Sequence, residues 1–134
     1  MNPPTDKPGL LLFAHGARDP RWARPFEAVA AQARAARPGT EVALAFLEFL
    51  APDLAAAGEA LAAAGCTRID VVPLFLGAGG HVRKDVPPLL DALRARHPGL
   101  EVRLHPAVGE RDELVTAMTQ AALTLACGEG VAQR

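Results

Sequence analysis

Three histidines and one glutamate stand where apolar runs stop. His15 follows residues 9–14, Glu48 follows residues 42–47, and His105 follows residues 102–104, while His81 comes after residues 69–76 and a glycine-rich turn. Imidazole nitrogens and carboxylates suit divalent metals of the Fe, Co, Ni and Zn range, and imidazole also exchanges protons near neutral pH. Taken singly, each has a plainer reading: a histidine in contact with water at a strand end, or a solvated carboxylate. In Phe46-Leu47-Glu48-Phe49-Leu50, however, the acid lies between four large apolar residues, a setting that suits proton transfer. Together His15, Glu48 and His81 could hold a metal and leave positions open for a substrate. His105 precedes a proline in the shortest strand unit and is assigned a structural place. His97 closes a helix and is expected at the surface.

Other chemistries fit less well. The spacing is not that of a local HExxH motif. Gly77-Ala78-Gly79-Gly80-His81-Val82 lacks the third glycine of GxGxxG, and no P-loop lysine follows. A serine nucleophile elbow is absent. His15-Gly16-Ala17-Arg18 resembles a phosphohistidine site only in part, because Ala14 rather than arginine precedes it. Phosphoryl transfer through a histidine therefore stands as a third reading.

The elements that must position these residues follow from periodicity. Residues 9–14, 42–47, 69–76 and 102–104 read as strands, the first two apolar enough for burial on both faces. Pro73 marks a strand end, a bulge or an edge. Between them, Trp22, Phe26, Val29, Ala30 and Ala33 give an amphipathic helix over residues 21–37, stopped by Pro38-Gly39. Residues 55–64 are almost pure helix former and give a second helix, with Pro52 where a first turn should begin and Gly65 at the close. Residues 85–96 form a third, with Pro87 and Pro88 in its first turn. Residues 110–126 form a fourth, with Leu114, Val115, Met118, Ala121, Ala122 and Leu125 as its apolar face. The order βαβαβαβα predicts an α/β fold: a four-stranded parallel sheet with helices on both faces. Residues 1–8 are expected to form an arm, 9–126 a single domain, and 127–134 a loose tail. All segments that follow strands then share one sheet edge, where ligands bind at the switch in strand order.

Composition narrows the field. The 134 residues favour one domain with a modest core, and half of them are hydrophobic. A net charge of −1, few aromatics and no tyrosine argue against a nucleic-acid partner. Cys66 and Cys127 form no CxxC pair and read as reduced thiols. Neither a signal-peptide core nor a membrane span is legible, so a soluble, cytoplasmic protein is expected.

The motif residues also carry a resemblance, over roughly residues 9–125. Leu12-Phe13-Ala14-His15-Gly16-Ala17-Arg18-Asp19-Pro20, Ala45-Phe46-Leu47-Glu48 with Pro52, and the long stretch from Pro73 through His81 to Pro87 resemble the class II tetrapyrrole metal chelatases. They look most like the short-form sirohydrochlorin cobaltochelatases, with the ferrochelatases as near relatives. The resemblance implies a single chelatase-like domain, working as a homodimer, that inserts Co²⁺, or Fe²⁺ or Ni²⁺, into sirohydrochlorin in cobalamin or siroheme biosynthesis. It implies metal-binding roles for His15 and His81 and an acid at Glu48, with no cofactor beyond the substrate metal. Arg18, Arg21, Arg83 and Lys84 would pair with the macrocycle's carboxylates, and Gly79 and Gly80 would let its plane approach the backbone. Ala17 departs from the pattern, which usually has serine there. A carrier that binds metal or tetrapyrrole without turnover is the alternative.

Overall fold

A computed structural model describes residues 6–77 and 79–128, with the side chains of residues 80–83 outside the description. Most of the expected arm and tail therefore lies outside the described residues. The elements are β1 (Pro8–Ala14), α1 (Arg24–Ala36), β2 (Glu41–Phe46), α2 (Leu54–Ala63), β3 (Arg68–Pro73), α3 (Gly80–Arg96), β4 (Glu101–Leu104) and α4 (Asp112–Cys127). Short 3-10 turns at Pro20–Ala23 and Val108–Glu110 lead into α1 and α4.

The four strands form one sheet in the order β2-β1-β3-β4, parallel throughout. β1 lies at the centre, and Leu11, Leu12, Phe13 and Ala14 are all buried, as a strand covered on both faces requires. The chain steps from β1 to β2 in one direction and then crosses back to β3 and β4. Right-handed crossovers in opposite directions place helices on opposite faces. Accordingly Ala30 of α1 packs with Leu12 and Val42 on one face. Leu54, Ala57 and Leu61 of α2 join Val86, Leu90 and Leu93 of α3 on the other, over Leu11, Phe13, Ile69 and Val71. This larger cluster is the main core.

Several expectations are corrected. Trp22 and Val29 are exposed, so α1 buries a narrower stripe centred on Ala30, and Trp22 falls in the 3-10 turn before the helix. Pro52 precedes the helix rather than opening it: Asp53 is the N-cap of α2, its carboxylate accepting from Ala56 N at 2.8 Å. β3 ends at Pro73 and buries Ile69, Val71 and Pro73, with the residues between them half-buried. α3 begins at Gly80, so Pro87 and Pro88 lie in its interior and leave two backbone carbonyls of the preceding turn without their usual donors. α4 buries none of its residues.

Candidate functional site

The order β2-β1-β3-β4 reverses direction between β1 and β3, so the crevice at that switch lies at the carboxyl ends of these two strands. His15 is the first residue after β1. The segment after β3 runs through Leu76 and Gly77 to Gly79, the N-cap of α3, and His81 is the second residue of that helix. His81 thus belongs to a helical first turn rather than to a loop, while its side chain, like that of Arg83, is outside the described residues. The bases of the two segments are tied directly: Leu74 N donates to Phe13 O at 2.7 Å.

His15 is exposed, and its ring lies against Phe75, with centroids 4.2 Å apart and planes at 32°. Phe75 is buried and contacts Phe13 in turn, at 5.5 Å between centroids. A column of three rings therefore runs from the core to the rim and fixes where the imidazole stands.

Glu48 follows β2 on the other side of β1. The expectation of an acid enclosed by apolar neighbours is overturned: Glu48 is exposed, because the chain turns out of the sheet immediately after Phe46. The backbone of Glu48, rather than its carboxylate, meets the His15 segment. A Cβ on Gly16 would stand 1.4 Å from the Glu48 carbonyl oxygen, so only glycine permits this approach. Phe49 sits in the left-handed region at φ 67°, unusual for a non-glycine residue, and its ring is 57% exposed. The Arg18 guanidinium lies over that ring, 4.9 Å from its centroid. On the opposite flank Leu76 is 70% exposed. The rim around His15 thus presents apolar surface as well as charge.

The other charged residues have different surroundings. Arg21 Nη2 donates to Asp19 Oδ2 at 2.7 Å, and this bond holds the Asp19 carboxyl below its ordinary value and the Arg21 guanidinium above its own. Arg21 is therefore already paired. Lys84 and Gly79 are exposed. His105 Nε2 lies 2.8 Å from Asp70 Oδ1, which makes it a partner of the β3 carboxylate. His97 is half-buried at the end of α3, 2.8 Å from Glu59 Oε1. The backbone of Gly109 is likewise pressed against the carbonyl of Leu76 and donates to Phe75 O at 2.9 Å, so the segment after β4 locks the segment after β3.

The chain and its fold have known relatives. The family model described as CbiX matches residues 9–124. A sirohydrochlorin cobaltochelatase of Saccharolobus solfataricus is 34% identical over 100 residues, covering 72% of this chain and 77% of that protein. A crystal structure of a cobalamin biosynthesis CbiX protein from Marinobacter aquaeolei VT8 superposes with a TM-score of 0.74 at 34% identity, over 86% of this chain and 93% of that one. The sirohydrochlorin chelatase SirB of Bacillus subtilis subspecies spizizenii, solved with cobalt, matches at a TM-score of 0.71 and 27% identity, with 87% of this chain covering 50% of that one. The chain belongs to the CbiX family.

Proposed function

We propose that this protein is a sirohydrochlorin chelatase that inserts a divalent metal, Co²⁺ first and Fe²⁺ or Ni²⁺ as alternatives, into the tetrapyrrole. The observation that carries the reading is the position of His15, beside an exposed apolar rim at the switch point of a CbiX-family fold. Insertion replaces two pyrrole N–H protons with one M²⁺ and releases two H⁺. The ion must lose part of its water before ring nitrogens can reach it, and imidazole ligands provide for that exchange. In this reading His15 and His81 hold the metal on one side of the macrocycle, and Glu48, exposed and open to solvent, carries the released protons away. Phe49 and Leu76 receive the apolar plane of the ring. Arg18, stacked on Phe49, is set to pair with a peripheral carboxylate, and Lys84 and Arg83 with others. Arg21 contributes only by exchanging Asp19 for the substrate. Gly79 and Gly80 leave the backbone accessible to the ring.

The working form is a homodimer in the cytoplasm. The two cysteines are unpaired, as a reducing compartment keeps them.

Anaerobic incubation with sirohydrochlorin and each metal in turn, followed by tetrapyrrole absorbance, tests the assignment. Turnover well beyond enzyme stoichiometry is expected, and it should vanish in folded His15→Ala and His81→Ala proteins. An absorbance change that stops at one equivalent would make the protein a carrier. Full activity in folded His81→Ala would overturn the site.

A further inference from the structure

Gly109 stands in the 3-10 turn Val108–Glu110 that links β4 to α4, and it has no side chain to offer a substrate. The turn itself does not ask for glycine, since the Gly109 backbone lies outside the left-handed region. Space does. A Cβ there would stand 1.9, 2.3 and 2.4 Å from the carbonyl oxygen, carbonyl carbon and Cα of Leu76. All three are backbone atoms, so no rotation of the Leu76 side chain relieves the collision. The turn is also anchored from behind. Ala107 is 2% exposed and packs in the main core, and Arg111 N donates to Val108 O at 3.0 Å.

What Gly109 presses on bears on the site. Beyond Pro73 the segment after β3 leaves the sheet ladder, and backbone bonds on its two sides tie it down. On the β1 side Leu74 N donates to Phe13 O at 2.7 Å; on the β4 side Gly109 N donates to Phe75 O at 2.9 Å. Phe75 carries the His15 ring at 4.2 Å between centroids. Leu76 stands five positions before His81 and leads into the first turn of α3.

We propose that Gly109 is a positioning residue for metal insertion: through Phe75 and Leu76 it sets where the His15 ring stands and where the helix that bears His81 begins. The role in the reaction rests on the metal-binding reading of these two histidines. A metal held from two segments depends on their mutual spacing, and groups that orient metal ligands are commonly worth roughly 10–100-fold in affinity. A glycine that served only the stability of the β4–α4 turn would leave the imidazole and the metal affinity unchanged in any variant that folds.

Proton NMR of the imidazoles and a Co²⁺ titration test this together. The His15 ring protons, identified by their loss in His15→Ala, feel the ring current of Phe75. In Gly109→Ala they should move toward the positions of a free imidazole, while those of His97, at the far end of α3, stay unchanged. Co²⁺ affinity without tetrapyrrole, read from visible absorbance, should fall about tenfold or more. If Gly109→Ala does not fold, Val108→Gly loosens the same turn without a collision and should change both readouts in the same sense. His15 protons that stay in place in the folded variant overturn the proposal, and so does a Co²⁺ affinity equal to that of the wild type. Undiminished Co²⁺ binding by His15→Ala would instead overturn the metal-binding reading, and with it the role in insertion, while the His15 protons still show whether Gly109 sets the ring.

Discussion

The His15 imidazole is positioned by a ring, that of Phe75 beneath it. Because Phe75 supports it from below, shortening that ring should move the imidazole without touching the loop. Phe75→Leu is expected to lower stability by about 1–2 kcal/mol in urea titration. It should also weaken Co²⁺ binding in the absence of tetrapyrrole, a loss that a purely structural role would not give. Gly16 has a sharper requirement, since a methyl group there collides with the backbone of Glu48. Gly16→Ala should push away the turn that carries Phe49 and reduce insertion by about a hundredfold, the usual consequence of misplacing a reacting group by an ångström. Its core packing should survive, and near-ultraviolet circular dichroism would check this. Neither dependence can be read from the sequence, where Gly16 and Glu48 are separated by a helix and a strand.

Asp70 on β3 shows how paired elements use charge. Partial burial disfavours its charged form, but bonds from His105, Arg103 and Arg68 outweigh that cost and bring its carboxyl below the ordinary value. Glu59 on α2 is lowered in the same sense by His97 and then Arg96, both at the end of α3. A carboxyl whose folded value is depressed stabilises the fold above its unfolded value of about 4, and that contribution is lost as pH falls through the lower folded value. Urea midpoints should therefore drop between pH 5 and acid pH, and Asp70→Asn should shrink the drop. Elements themselves were largely legible: apolar runs marked each strand, and Gly65, at φ 93°, closes α2 as its type suggests. The start of α3 was not. Gly77, Gly79 and Gly80 read as a turn and Pro87 and Pro88 as a beginning, whereas the helix takes in Gly80 and carries both prolines inside it. The pairs that tie β3 to β4 and α2 to α3 stayed hidden, because contacts across 35 and 38 positions leave no local pattern.

For the whole molecule, self-association would change what stability means. If the proposed homodimer forms, the folded state gains from mass action. The melting temperature of the wild type should then rise with protein concentration; differential scanning fluorimetry over a dilution series reads this directly. The βαβαβαβα order and the shared sheet edge followed from periodicity alone. The failure of α4 to pack did not, because its apolar face looks the same whether it meets its own sheet or a neighbour.

The central place of β1 also bears on how the chain is made. Of the four strands of the sheet, the earliest synthesised is one with neighbours on both sides, and its second neighbour lies far downstream: Pro8 pairs with Arg68, sixty positions later. At ordinary rates of synthesis that interval lasts roughly 3–12 s. Through it, the run from Leu10 to Ala14 has at least one open edge and most of its core still to come, so the strand that centres the sheet is also the one that waits longest to be covered.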